Sequence, residues 1–231
     1  MVKKILVRSF LLIILVILYL PIVWLIVFSF TDSPTFTDWT GFSLEPYADL
    51  FTGSKSGEIF SALGNTMIIA LSAAVISTVL GTLAAIGINS MRSKRLRNSY
   101  NNISNIPMIN ADIVTAVSLM LLFTFFRSLF GLHGEAAIID VILAHTSFCV
   151  PYVVLNVMPR LKGMDNSVYE AALDLGATPM QAVRKVVIPE IMPGITMGFI
   201  MAMTLSIDDF VVSFFTIDGF NTLSTYIYTV N

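Results

Sequence analysis

Five stretches of this chain are long and apolar enough to cross a bilayer, and they decide what it can fold into: residues 10–30, 65–88, 106–126, 138–158 and 191–215. A bilayer core needs about 20 apolar residues in helical form. Inside lipid no water meets the backbone, so each stretch must close its hydrogen bonds within itself as a helix. Lone prolines and glycines within the stretches do not alter this, because neighbouring helices can satisfy freed backbone groups. The composition agrees, at 56% hydrophobic and 12% charged. The expected fold is all-α, a polytopic transmembrane helical bundle, with residues 1–231 forming a single transmembrane domain.

Lys3, Lys4 and Arg8 precede the first stretch as they would in a signal peptide. Its apolar run is too long for a signal core and no small-residue cleavage site follows, so it is expected to stay as an anchor helix. With the N-terminus cytoplasmic, the inner segments carry Lys3, Lys4, Arg8, Arg92, Lys94, Arg95, Arg97, Arg160, Lys162, Arg184 and Lys185, leaving only Lys55 and Arg127 of the 13 basic residues outside. That asymmetry predicts a cytoplasmic N-terminus and a cytoplasmic loop around Glu170. Asp32, Asp38, Glu45, Asp49, Glu58, Glu135 and Asp218 then fall on the outer side. They form an acidic entrance that attracts cations, or they are what remains where basic residues are excluded. The sequence leaves both readings open.

The outer loop over residues 31–63 has turn residues at Ser33-Pro34, Trp39-Thr40-Gly41 and Gly53 to Gly57, with a short helix expected over 46–51. Trp39, Phe42 and Tyr47 suit packing at the membrane interface. In the second stretch Ala70, Ala74, Ser77, Gly81 and Ala85 place small side chains at helical intervals, which lets helices approach closely in lipid. Cys149 is the single cysteine and is expected as a small packing residue. The chain has no phosphate-binding loop, no H-E-x-x-H and no G-x-S-x-G, and its two histidines and one cysteine leave little for metal or nucleophilic chemistry.

Ionisable side chains at membrane depth are costly, so each is a functional candidate. Asp112 lies in the third stretch, and Asp208 and Asp209 in the fifth, with no lysine or arginine inside the stretches to neutralise them. They take up protons, await a cationic ligand, or are satisfied by Asn110, Thr204, Ser206 or backbone groups near helix breaks. His145 is read either as a proton relay or as a hydrogen-bonded bundle residue. Asp140 belongs near the outer end of the fourth stretch.

Between the fourth and fifth stretches runs Glu170-Ala171-Ala172-Leu173-Asp174-Leu175-Gly176, followed by Val186-Val187-Ile188-Pro189. Ser167 to Glu170 and Thr178 to Gln181 have capping-box spacing, with Pro179 at the first helical position. Gly176 sits where a left-handed residue would end the first helix. Two short helices joined at a glycine are expected, held at a membrane surface as a docking handle for a soluble partner.

These residues resemble the EAA loop of ABC-importer permeases, whose coupling helices fit a groove on a cytoplasmic ATPase. A narrower resemblance, to permeases of spermidine/putrescine importers, covers nearly the whole chain. It rests on Tyr19-Leu20-Pro21-Ile22, Ser29-Phe30, Asp112-Ile113-Val114, His145-Thr146-Ser147-Phe148-Cys149 with Pro151, Arg160-Leu161-Lys162-Gly163, and the run from Thr204 through Asp208-Asp209 to Ser213.

The resemblance implies the type I importer permease (MetI-like) fold. That fold has six spans, of which five are found and the sixth is expected beyond Asn231. It also implies that Asp112, Ser206, Asp208 and Asp209 belong to a polyamine pathway, and that Glu170, Ala171, Ala172, Gly176 and Pro189 belong to the ATPase-coupling loop at about 160–190. The implied partners are an ABC ATPase dimer, a second homologous permease, an extracytoplasmic polyamine-binding protein and membrane lipid, with no nucleic acid. This chain itself would be no enzyme and bind no cofactor, ATP and magnesium being on the ATPase, and it would lie in a bacterial inner membrane. Related permeases carry iron, sulfate, molybdate or phosphonates. A proton-coupled secondary transporter using Asp112, His145 and Asp208/Asp209 is the alternative of a different class, and it leaves the capped loop unexplained.

Overall fold

The structure, a computed structural model, describes residues 2–33, 38–91, 93, 95, 100, 112–131 and 137–230. The expectations for Pro34, Arg92, Lys94, Arg97, Asn110 and Glu135, and for the opening of the third stretch before Asp112, fall outside the described residues. Every regular element among those described is helical: α1 (Val2–Phe28), α2 (Glu45–Thr52), α3 (Ser56–Asn89), α4 (Asp112–Phe130), α5 (Ala137–Gly163), α6 (Asn166–Asp174), α7 (Pro179–Ala182), a π-turn (Val183–Val187), α8 (Ile188–Asp208), α9 (Val211–Thr216) and α10 (Leu223–Val230). Five helical segments are long and apolar enough to cross a membrane: Val7–Phe28, Ser56–Asn89, Asp112–Leu129, Ile138–Gly163 and Pro179–Asp208.

Three local expectations are corrected. The fifth stretch is not one helix to Phe215, because α8 stops at Asp208, Asp209 is extended (φ −67°, ψ 125°) and α9 starts again at Val211. The N-cap of α6 is Asp165 rather than Ser167, since the Asp165 carboxylate accepts the Ser167 amide at 2.9 Å. That bond holds the exposed Asp165 carboxyl below the usual range. The helix after Gly176 is not short, because α7 runs on through the π-turn into α8 without a gap.

The chain divides into two compact units, Met1–Phe60 and Ser61–Asn231. In the first, α1 is exposed at every residue from Val7 to Val27, as a helix surrounded by lipid would be. The loop after it closes on its end. Ser43 N–H donates to Phe30 O (2.7 Å), the Ser29 and Tyr47 hydroxyls share a bond of 2.8 Å, and the Phe30 ring lies between Phe42 and Tyr47 with centroids 5.5 and 5.3 Å away. The aromatic residues of this loop thus pack on the helix terminus.

The core of the second unit joins α3, α5 and α8. Ala74, Ala85 and Ile88 from α3 meet Cys149, Val153, Val157 and Leu161 from α5, and Ile191 and Ala202 from α8, all buried. Apolar side chains gain nothing from leaving lipid for protein, so helix association in a bilayer rests on close packing. Glycine supplies it here. A Cβ on Gly81 would lie 2.7 Å from Val153 Cβ and 3.1 Å from Val150 O, and one on Gly194 would lie 2.9 Å from Asn156 O. Gly81→Ala is therefore expected to lower the thermal stability of the purified protein, by about 1–3 kcal/mol as overpacking does. Gly87→Ala, on the same helix with open space around it, should not lower it. Intrinsic-fluorescence melting of the two variants side by side checks the contrast.

A second cluster places Ala116 (α4), Ala144 (α5) and Val212 (α9) together, with Phe123, Phe148 and Phe215 against them. At the far end of the α4–α5 pair, Arg127 and Asp140 form an ion pair of 2.7 Å. Asp140 is near the start of α5, where the sequence put it.

Candidate functional site

Two places in the second unit carry the chemistry the sequence singled out. The first is the interruption between α8 and α9. The amides at the start of α9 lack partners within the helix. The Asp209 carboxylate takes two of them, accepting from Val212 N–H (3.3 Å) and Ser213 N–H (2.8 Å). Its backbone carbonyl accepts from Ser224 Oγ at 2.9 Å, tying α10 to the break. From α5, His145 reaches both sides: Nδ1 is 2.6 Å from Ser206 Oγ on α8, and Nε2 is 3.0 Å from Ser213 Oγ on α9 and 3.5 Å from Asp209 Oδ2. Cys149, one turn further along α5, donates to Ala202 O at 3.4 Å.

Beside the break opens a cleft of about 310 Å³. Its walls are Asp112 and Thr115 from α4, Phe148 and Tyr152 from α5, Leu205 and Asp208 from α8, Asp209 and Phe210 of the break, and Val211 and Val212 of α9. The cleft wall thus brings together three of the four aspartate and serine candidates, with no lysine or arginine among them. The fourth, Ser206, is buried and turned to His145.

The three carboxylates differ in kind. Asp209 is held by the α9 amides, so for it the reading of hydrogen bonding at a helix break holds. Asp112 is the first described residue of α4. Asp208 ends α8, where the dipole is negative and adds to its own charge. Among the described residues the Asp112 and Asp208 side chains make no hydrogen bond or ion pair, and both are exposed. Irregular backbone at membrane depth is tolerated where it is buried in protein or lines a cavity, and this break does both. Carbonyls at the end of a half-helix together with free carboxylates make a place for positive charge.

Thr115, Phe148 and Tyr152 were not singled out from the sequence as wall residues. Thr115 is one turn from Asp112, and Phe148 and Tyr152 are four apart on α5, so helical spacing from the candidates already in hand could have found them. His145 is buried and bonded at both ring nitrogens, as the bundle-residue reading expected.

The second place is the turn between α6 and α7. Gly176 has φ +86°, its N–H donates to Leu173 O (2.9 Å), and Ala177 N–H donates to Ala172 O (3.1 Å). These are the paired bonds of a Schellman ending, with glycine at the left-handed position. Two residues later the expected capping box is present: Thr178 Oγ1 accepts Gln181 N–H, Gln181 Oε1 accepts Thr178 N–H at 2.9 Å, and Pro179 opens α7. Tyr169, Val183 and Val187 anchor the turn to the α5–α8 core. Its tip is bare. Leu175 is 89% and Met180 75% exposed. Glu170 and Ala171 are exposed along α6, and Ala172 is half-buried. Pro189 is exposed at the start of α8. Two large apolar side chains at the tip of a polar loop are a docking signal the sequence reading passed over.

Residues 77–229 match the family described as "Binding-protein-dependent transport system inner membrane component". The chain belongs to that family. It is an inner-membrane permease component of a transport system rather than an enzyme. It is 35% identical over 198 residues to the "Putrescine transport system permease protein PotI" of Escherichia coli (strain K12), covering 86% of this chain and 69% of that one. It is 34% identical over 208 residues to the "Spermidine/putrescine transport system permease protein PotC" of Haemophilus influenzae, covering 90% and 77%. In fold it is similar to a chain of a bacterial ABC transporter involved in import of the acidic polysaccharide alginate, with TM-score 0.76 at 17% identity over 99% of this chain and 83% of that one. A chain of an amino acid ABC transporter is similar with TM-score 0.53 at 22% identity, over 78% and 81%. The all-α permease fold expected from the sequence is thus the fold found.

Proposed function

We propose that this chain, residues 1–231 acting as one permease domain, is a membrane-spanning subunit of an ATP-driven importer of polyamines. Its cleft beside the α8–α9 break would be part of the solute path. The observation that carries the reading is the cleft wall: carboxylates, a helix C-terminus, three aromatic rings and no basic side chain among its described residues. Ammonium groups leaving water are compensated by such a wall, and an oxyanion is repelled by it. The relatives named for putrescine and spermidine transport support the same cargo.

The α6–α7 turn is the coupling element in this reading. Glu170, Ala171, Ala172 and Gly176, with Leu175 and Met180 at the tip and Pro189 at its base, would meet the ATPase. The distribution of basic residues favours a cytoplasmic N-terminus and a cytoplasmic coupling turn. The partners are an ABC ATPase dimer carrying ATP and magnesium, a second related permease and an extracytoplasmic polyamine-binding protein. ATPase closure, transmitted through the turn, would bias two arrangements of the bundle and so alternate access.

The test is ATP hydrolysis and uptake by the complete complex in proteoliposomes. Receptor loaded with spermidine or putrescine is expected to stimulate hydrolysis and drive uptake, and sulfate, molybdate, phosphonates or iron to do neither. Stimulation by one of those ions and none by a polyamine would overturn the cargo.

A further inference from the structure

His145 is fully buried and touches both halves of the interrupted helix. We propose that it is a positioning residue: a two-ended pin whose neutral imidazole joins Ser206 of α8 to Ser213 of α9 and so fixes the direction in which Asp208 and Asp209 face the cleft. The proposal rests on the reading of the cleft as the solute path.

The bonding pattern specifies how the ring is used. A neutral imidazole offers one N–H and one lone pair. Asp209 Oδ2 lies 3.5 Å from Nε2 and can only accept, so it favours the proton on that nitrogen. Nε2–H then donates to Ser213 Oγ at 3.0 Å, and Nδ1 accepts the Ser206 hydroxyl at 2.6 Å. Ser213 in turn donates its backbone N–H to Asp209 Oδ2 at 2.8 Å. A continuous chain of bonds thus runs from α8 through α5 to the capping carboxylate. The backbone at the break carries no helical bond to hold its angle, since Asp209 is extended and Phe210 caps α9 without a side-chain bond. The angle between the half-helices is set by what bridges them: the Asp209 carboxylate on the first amides of α9, and His145 between Ser206 and Ser213. Phe148 stands against the imidazole with centroids 5.3 Å apart and lines the cleft on its other side, which restricts tilting of the ring.

A pin fails when either end is cut, and cutting both ends adds little. Ser206→Ala and Ser213→Ala each remove one hydroxyl and should preserve the fold, so they carry the test even where a His145 variant does not assemble. The readout is spermidine or putrescine taken up per ATP hydrolysed by the complete reconstituted complex. Each serine variant is expected to lower it by about tenfold, the loss of one buried hydrogen bond, and the double variant by about the same factor. His145→Leu should match the double variant, and His145→Gln, keeping one donor and one acceptor, should recover part of the loss. Unchanged uptake per ATP in the serine variants, or losses that multiply to about a hundredfold in the double variant, would overturn the pin. Asp208→Asn is measured in parallel. Full uptake by Asp208→Asn removes the solute-path reading and the pin with it, whereas loss with Asp208→Asn and none with either serine variant removes the pin alone.

Discussion

Asp208→Lys is expected to abolish polyamine uptake by the reconstituted complex while leaving the permease folded. Asp208 is exposed on the cleft wall and bonds to nothing among the described residues, so the fold loses no contact. A lysine at the C-terminal end of α8 also suits the helix dipole, so the melting temperature should hold or rise slightly. The solute sees the opposite. A unit charge about 4 Å away contributes on the order of 4 kcal/mol at an effective dielectric of about 20, and reversing it turns that attraction into repulsion. Uptake should fall by at least about a thousandfold. Asp208→Asn, which removes the charge and keeps the shape, should lose about tenfold to a hundredfold. Radiolabelled uptake in proteoliposomes, with melting recorded on the same preparations, separates the two effects. Uptake by Asp208→Lys within a few fold of the parent would mean that no cation passes this wall.

Gly176→Pro is expected to break the second site as completely. Proline is confined to φ near −65° and has no N–H, whereas Gly176 sits at +86° and donates to Leu173 O. The chain cannot keep the Schellman ending, so α6 and the exposed Leu175 must point elsewhere relative to Met180 on α7. The turn lies outside the α3–α5–α8 core, and that core should survive. The variant is expected to insert and melt like the parent, but to lose co-purification with the ATPase and solute-stimulated hydrolysis. Gly176→Asn, a residue that tolerates the left-handed region, should retain most of both. Full coupling in Gly176→Pro would show that the turn is not where force enters.

The parts of the fold legible in the sequence were those written in local chemistry. The small stripe Ala70, Ala74, Ser77, Gly81 and Ala85 is the buried face of α3. Gly176 and the Thr178–Gln181 box are where their spacing put them. Asp165 displaced Ser167 as a cap because both residue types cap well and only the backbone conformation chooses between them. The break after Asp208 was not legible, since apolar residues continue on both sides of it; Asp209 caps α9 locally, but the bonds from His145 and Ser224 that hold the break come from residues distant in the chain. The π-turn was equally hidden: one extra residue per turn leaves no mark on hydropathy. At the candidate site the acids were visible as charges in apolar stretches, but their division into one bonded carboxylate and two with no bond among the described residues was not.

In the solute path proposed above, that division would limit how tightly a polyamine is gripped. With Asp209 tethered by the amides of α9, its charge is partly cancelled where it stands, and among the described residues two carboxylates rather than three remain uncommitted. A transport site must be attractive enough to fill and weak enough to empty. A fully charged triad would be a deep well from which a multiply charged guest departs slowly. On that proposal, the helix end that ties down Asp209 would keep the well shallow, trading residence time for throughput.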